Sequence, residues 1–378
     1  MNRIRLATVF SGIGAIEFAL KRMKIEYDVV FACDNGERDI VYNKEEELLK
    51  IKALKSPVEK MKYVDDLYNS KTRKHNFVKD SYMANYDIEN NLFFQDICLL
   101  DGTDFRSKVD IFVGGSPCQS FSQVGFQKGL EDTRGTLFYE FARLVKEIKP
   151  KVFIYENVRN MLKHDSGRTW AVIKNVFDDL GYEIDFKVLN AVDFGIPQKR
   201  NRLFVVGFDK KYQKKPNIPT KIEQFEKYSM QDFLLSKVGY GDFTYNNDGV
   251  LKLDTSKPSK IDERYFLSDA VRAYVLKEGT KNWKQRVEID LPIARTLLKT
   301  MGNCHRAGVD NYITEEGRIR MLTEREALRL MGFTDDFNTV VSIAQTYKQA
   351  GNSIVVDVMI ALMKYIISEN VLDGDFND

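Results

Sequence analysis

Short apolar and β-branched runs recur along the chain, each followed by a glycine or acidic turn and often by a stretch with helical spacing. Leu6–Phe10 is one such run. Ser11-Gly12-Ile13-Gly14 follows it, and Ala15–Met23 carries apolar residues at helical intervals, which predicts strand, glycine turn and helix. Tyr27–Cys33 predicts a second strand ending at Asp34. Val109–Val113 runs into Gly114-Gly115, with a helix expected over Phe138–Ile148. Val152–Tyr155 runs into a polar Glu156-Asn157 turn, with a helix over Thr169–Leu180, and Leu203–Gly207 reads as a further strand. Strands alternating with helices imply a parallel or mixed sheet covered on both faces, and the fold expected is α/β around a mostly parallel sheet. Near the end, Thr323–Met331 predicts a helix with a capping box made by Thr323 and Glu326 and a stop at Gly332. A last helix is expected from about Ser353 to Ile367.

Two stretches break the rhythm. Residues 44–80 hold ten Lys/Arg and seven Asp/Glu among few strong apolar residues, which predicts a solvated helical insertion. Residues from 209 onward open on Lys210, Lys211, Lys214 and Lys215, then Pro216 and Pro219, and read as a second, less regular domain. The division expected is 1–208 plus 338–378 for the α/β domain and 209–337 for the smaller one.

Hydrophobic residues at 43% and charged residues at 30% are ordinary for a soluble globular chain of 378 residues. The net charge is only +2, so a surface for a polyanion must be a local patch. Four cysteines without a CxxC pair are no disulfide framework, and the three histidines show no zinc-ligand spacing, so no metal is expected. The opening MNRIRLATVF is too charged for a signal peptide and no apolar run approaches membrane-spanning length, which leads to the expectation of a reduced, cytoplasmic protein.

A glycine turn between strand and helix lets a ligand approach the backbone. Phe10-Ser11-Gly12-Ile13-Gly14 alone also fits a plain tight turn, but Asp34 at the end of the next strand is placed to accept bonds from ribose hydroxyls. Asp96, within Phe93-Phe94-Gln95-Asp96-Ile97, can close a third strand and face an adenine edge. A second centre follows the strand at Val109–Val113: Gly114-Gly115-Ser116-Pro117-Cys118-Gln119. Cysteines are usually buried and inert. Here the flanking glycines and Pro117 mark an exposed turn, and a thiolate is the strongest side-chain nucleophile near neutral pH.

Gly-Ser-Pro-Cys-Gln resembles the catalytic motif of the cytosine-C5 DNA methyltransferases, and the rest of the chain follows that family's order. Phe10–Gly14 looks like its cofactor motif. Asp132-Thr133-Arg134-Gly135-Thr136-Leu137-Phe138 looks like the motif after the catalytic loop, and Glu156-Asn157-Val158 like the motif that holds the target base. Gln198-Lys199-Arg200-Asn201-Arg202 looks like the basic motif, Arg295-Thr296-Leu297 like the support of the recognition domain, and Gly351-Asn352-Ser353 like the final motif. The resemblance covers most of 6–208 and 291–367. It implies a Rossmann-like fold that uses S-adenosylmethionine, with 209–337 as the target-recognition domain.

The implied catalytic set is Cys118 with its neighbours Pro117 and Gln119, Glu156 near cytosine N3, Arg202 on the O2 side, and Arg200 on the loop or backbone. The implied cofactor set is Phe10, Ser11, Gly12, Ile13, Gly14, Asp34, Asn35, Asp96, Ile97, Gly115, Asn352 and Ser353. Relatives often carry a stacking aromatic where Asn35 stands, which leaves stacking to Phe10 and Ile97. They also use a loop serine to fill the gap left by the flipped base, and Val124 occupies that position here. The implied partner is double-stranded DNA, approached by a monomer, with a cognate restriction endonuclease encoded nearby, as for bacterial or phage restriction–modification enzymes. A tRNA-directed relative would carry a Cys-Phe-Thr segment that is absent. A non-catalytic relative would lack Cys118, and a nucleotide-dependent oxidoreductase would not explain Ser116–Ser122.

Overall fold

The computed structural model of the protein describes residues 3–117, 137–222, 226–277, 287–306 and 308–373, and the backbone at 279–280 and 283–284. Strand β1 (Ile4–Val9), helix α1 (Ala15–Arg22) and β2 (Tyr27–Cys33) open the chain. Three helices follow: α2 (Lys44–Lys52), α3 (Pro57–Lys71) and α4 (Phe77–Met83). Their starts are set by Asn43, Ser56 and Asn76, whose side chains each accept a backbone amide of the first turn. Next come β3 (Phe93–Phe94), β4 (Ile111–Gly114), α5 (Leu137–Ile148), β5 (Val152–Val158), α6 (Arg168–Asp179), β6 (Tyr182–Asn190) and β7 (Asn201–Asp209).

The seven strands form one sheet in the order β3-β2-β1-β4-β5-β7-β6. All neighbours from β3 to β5 are parallel; β7 runs antiparallel to both β5 and β6. The mostly parallel sheet read from the sequence is therefore present. Strand order reverses direction at the β1–β4 boundary, and in open α/β sheets that crevice at the carboxyl ends is where ligands bind. Because β7 is antiparallel, its first residues lie at this same end: Val158 pairs with Arg202 and Glu156 with Phe204.

Apolar side chains from both faces fill one core. Phe112 stacks on Phe141 of α5 at 5.0 Å, and Phe153 packs on Phe177 of α6 at 4.5 Å. On the other face α1 packs against α10 (Val356–Ser368), nearly all of whose apolar residues are buried. No single helix among the described residues is long and apolar enough to cross a membrane.

Beyond β7 the chain forms short pieces: β8 (Phe243–Tyr245) with β9 (Leu251–Leu253), α7 (Asp269–Val275), β10 (Gly279–Thr280) with β11 (Trp283–Lys284), and β12 (Tyr312–Glu315) with β13 (Arg318–Met321). The α8 (Glu324–Arg329) helix carries the full Thr323–Glu326 capping box, and α9 (Ile343–Asn352) precedes α10. Met230, Phe233, Phe243, Leu297, Met331 and Phe333 belong to the main core, while Val275, Tyr312 and Ile319 make a small core of their own. The buried Arg22 guanidinium joins these parts. It reaches Asp357 on α10 at 2.8 Å, Gly332 O at 2.9 Å and Gly249 O at 2.5 Å.

Several details differ from the sequence pattern. Glu156 and Asn157 lie within β5 rather than in a turn, because antiparallel pairing with β7 extends the strand to Val158. Tyr182–Asn190, without a clean alternation, forms the edge strand β6. Residues 343–352 form α9, so the last helix starts at Val356 and not at Ser353. The 44–80 segment is helical but not merely solvated. Ile51, Val64 and Tyr68 form a second small core with Leu99.

Candidate active site

The carboxyl ends of β1, β2, β3, β4 and β5 and the start of β7 surround one open crevice. Past β1, Phe10 and Gly12 adopt left-handed backbone conformations with φ of 53° and 55°. A Cβ added to Gly12 would meet nothing within 4 Å, so this glycine faces open space. One added to Gly14 would lie 2.2 Å from the Tyr86 ring, so that glycine serves close packing. The Tyr86 hydroxyl donates to Ile13 O and Gly14 O, fixing the rear of the loop. The Ser11 hydroxyl joins the loop to β2 by accepting from the Cys33 amide at 3.0 Å.

Asp34 stands where the alternation of strand and loop placed it, at the end of β2. Its two oxygens accept from the Gly12 amide at 2.9 Å and the Gly36 amide at 2.8 Å. Burial pushes its carboxyl above the ordinary value, against the pull of those two amides. The neighbouring Asn35 accepts from the Glu37 amide at 2.9 Å, forming a local turn. Asp96 follows β3 and accepts from the Cys98 amide and from the hydroxyls of Tyr42 and Tyr68. Phe10, Asp34, Asn35, Asp96 and Ile97 line one recess of the crevice together with Tyr42, Tyr68 and Leu137.

A cavity of about 340 Å3 continues from Phe10, Gly12 and Asp34 to Gly115, Pro117, Glu156, Arg202 and Asn352. Glu156 Oε1 lies 3.2 Å from Arg202 Nε. Burial raises the Glu156 carboxyl above its ordinary value, opposed by the positive charges of Arg202 and Arg200. A Cβ on Gly115 would come within 2.9 Å of both the Glu156 carbonyl oxygen and Oε2, so only glycine lets β4 end this close to that carboxylate. Asn157 donates to Ser116 O at 2.8 Å and the Ser116 and Tyr155 hydroxyls are 2.7 Å apart. The Gly115-Ser116-Pro117 stub is thereby anchored on β5. Cys118 and Gln119, the next residues in the chain, lie outside the described residues, as does Val124.

Arg200 differs in role from Arg202. It is buried, and its guanidinium donates to Leu297 O at 3.1 Å, Gly351 O at 3.0 Å and Ser353 O at 2.7 Å. Burial lowers its pKa to about 9, reinforced by Arg202. It therefore holds the Gly351-Asn352-Ser353 segment against the basic motif. Gln198 does the same for Leu297 and Leu330, through its carbonyl and amide respectively. Sequence reading missed Asn76, which donates to Asp34 O at 2.9 Å, and Glu37, which pairs with Lys348 at 2.8 Å and Lys299 at 3.1 Å. Asn76 was visible only as a helix-cap residue type. Nothing local marks Glu37. Among the described residues no cluster of His, Cys, Asp or Glu could hold a metal.

A family model described as C-5 cytosine-specific DNA methylase matches residues 51–368, most of the chain. The chain belongs to the C-5 cytosine-specific DNA methylase family. The type II methyltransferase M.SsoII of Shigella sonnei is 37% identical to this methylase over 301 residues, spanning 77% of this chain and 72% of the relative. M.HhaI of Haemophilus parahaemolyticus is 36% identical over 250 residues, spanning 66% of this chain and 73% of the relative. The crystal structure of S. pombe Dnmt2 methyltransferase superposes with a TM-score of 0.64 at 17% identity, covering 97% of this methylase and 99% of that chain, a likeness of fold. Methylases of this family use S-adenosylmethionine as methyl donor and act on DNA.

Proposed function

We propose that this methylase transfers a methyl group to C5 of a cytosine in a short sequence of double-stranded DNA, with Cys118 as nucleophile and Glu156 and Arg202 holding the ring. The Glu156–Arg202 pair, opening onto the same cavity as the glycine loop, carries the reading. Cytosine C5 is a poor nucleophile. A thiolate adding at C6 forms a C–S bond and moves the ring's electron density to C5, provided N3 takes a proton. Burial raises the affinity of the Glu156 carboxyl for a proton, which suits it to share one with N3. Arg202, paired with that carboxyl, faces the O2 side and favours the thiolate. After transfer the C5 proton leaves to water, the C–S bond breaks to expel the thiolate, and N3 returns its proton to Glu156. The base must leave the helix to meet an out-of-plane thiolate, so the target cytosine is flipped.

S-adenosylmethionine supplies an electrophilic methyl group. The residues present fit it. Gly12 faces open space, Asp34 and Asp96 offer carboxylate acceptors, and the cavity lies within the 300–1,000 Å3 usual for such ligands. Asp34 would hold the ribose, Asp96 the adenine amino group, and Phe10 and Ile97 the ring faces. Ser11, Ile13, Gly14, Asn35, Gly115, Asn352 and Ser353 would complete the wall. Arg200 acts as a positioning residue for the last two.

Residues 209–337 would carry target recognition, with the small core around Val275, Tyr312 and Ile319 as their own packing unit. The type II relatives support a restriction–modification setting with a cognate endonuclease. Action as a monomer in the cytoplasm belongs to the same reading. Bisulfite sequencing of plasmid DNA from an expressing host tests the activity. Protected cytosines in one recurrent sequence are expected, and their absence would refute it.

A further inference from the structure

One wall of the cavity comes from the segment that the sequence pattern reads as solvated. Tyr42 precedes α2 and Tyr68 lies in α3, yet both hydroxyls donate to the same oxygen of Asp96, at 2.7 and 2.9 Å. The Cys98 amide donates to the other oxygen at 2.9 Å. Tyr68 is buried, and the Arg38 guanidinium lies 5.3 Å over its ring, itself bonded to Gln95 beside Asp96. Gln95 in turn donates to Asp65 of α3 at 2.6 Å. The helical segment is thus latched to the end of β3 at several points, and the latch converges on one carboxylate in the recess shared with Phe10, Asp34 and Ile97.

A carboxylate buried without donors takes up a proton, whereas hydroxyl donors to a charged acceptor form strong, short bonds that keep it ionised. Burial pushes the Asp96 carboxyl above its ordinary value, and the Tyr42 hydroxyl, the Cys98 amide and the Tyr68 hydroxyl offset part of that rise. The two phenols are pushed up in turn by burial and by Asp96, so they remain donors.

We propose that Tyr42 and Tyr68 are positioning residues for cofactor selectivity: they hold Asp96 as a pure acceptor, so the recess takes a purine bearing an amino group at C6 and rejects one bearing a carbonyl there. The proposal rests on the reading of this recess as the adenine end of the cofactor site. An adenine amino group donates to a carboxylate, whereas the hypoxanthine carbonyl turns lone pairs toward it. Without the two phenols Asp96 takes up a proton. It then offers an O–H as well as lone pairs, and can bond either ring.

The probes are S-adenosylhomocysteine and S-inosylhomocysteine, which differ at this edge of the purine, with binding measured by calorimetry. A site built around one hydrogen-bond polarity rejects the other steeply, so the wild type should prefer the adenosyl probe by at least about a hundredfold. In Tyr42→Phe/Tyr68→Phe the preference should fall to about tenfold or less, because a protonated carboxyl can serve both rings. A merely structural role would weaken both probes alike and leave the ratio unchanged. Asp96→Asn is the reference, since an amide can donate or accept and its ratio should also collapse. A preserved ratio in the double variant beside a collapsed ratio in Asp96→Asn would overturn the proposal. Failure of the wild type to bind S-adenosylhomocysteine, or no effect of Asp96→Asn on either probe, would instead overturn the cofactor reading beneath it. Should the double variant not fold, Tyr42→Phe alone, whose ring is only half-buried, must lower the ratio by at least about threefold for the loss of one charge-assisted bond. An unchanged ratio there would overturn the proposal equally.

Discussion

Replacing Asp34 by alanine should cost this methylase both cofactor affinity and fold stability, and the two losses have separate sources. The carboxylate accepts from the Gly12 and Gly36 amides at 2.9 and 2.8 Å, so it braces the glycine loop before any ligand arrives. A hydrogen bond to a charged group contributes about 1.5–3 kcal/mol when well buried. Water can reach this wall of the crevice and replace part of that, so the expected stability loss is about 1–3 kcal/mol for the two amides together. Losing the ribose acceptors should weaken cofactor binding at least tenfold, about 1.4 kcal/mol. A loosened loop should carry the loss toward about a hundredfold, since disordered loops must be reordered on binding. Calorimetry with S-adenosylhomocysteine measures the first quantity and urea unfolding of the ligand-free protein the second. Asp34→Asn, which keeps one acceptor oxygen, should fall between. Unchanged affinity in Asp34→Ala would refute the ribose assignment. Unchanged stability would refute the bracing of the loop.

Glu156→Gln should lower the methylation rate at least about a hundredfold while DNA binding survives, because a positioned proton donor contributes about 10²–10⁴-fold; single-turnover kinetics beside gel shifts will show it. Arg200→Lys cannot reach all three carbonyls that the guanidinium bonds, so it should cost about 2–4 kcal/mol in urea unfolding and weaken cofactor binding through Asn352 and Ser353. Glu17 is fully buried, with Oε2 unpartnered among the described residues, and burial raises its pKa to about 7. The native state then holds a proton that the unfolded state has released, so stability falls as pH rises from about 4.5 to about 7. Glu17→Gln should remove that slope and leave the variant more stable than wild type at pH 8, by on the order of 3 kcal/mol; parallel unfolding curves from pH 5 to 8 would contradict this.

Much of the ligand-facing edge was legible because a glycine or an acidic residue closes an apolar run. Gly12 and Asp34 lie just past β1 and β2, Gly114 ends β4 and Asp96 lies just past β3, and local pattern suffices for such boundaries. The α8 box was legible for the same reason, since Thr323 and Glu326 satisfy each other within one turn. What escaped depends on partners far along the chain. Glu156 and Asn157 read as a turn because both are polar, yet pairing with β7 extends β5 through them. Arg200 looks like a surface or catalytic cation until three backbone carbonyls close around it. The charges of 44–80 suggest a solvated face, but Lys60 is buried between Asp101 and Asp104 at 2.7 and 2.8 Å, and Tyr68 points inward. A charged residue with a distant partner carries no local signature of burial.

Covalent trapping tests the central claim most directly. Duplex DNA with 5-fluorocytosine at the target position, incubated with the protein and S-adenosylmethionine, presents a ring from which fluorine cannot leave as the C5 proton does. The wild type should form a complex that survives denaturation, and peptide mapping should place the DNA on Cys118. Cys118→Ser should form no complex while still binding the duplex. A complex retained by Cys118→Ser, or an adduct on Cys33, Cys98 or Cys304, would contradict the account.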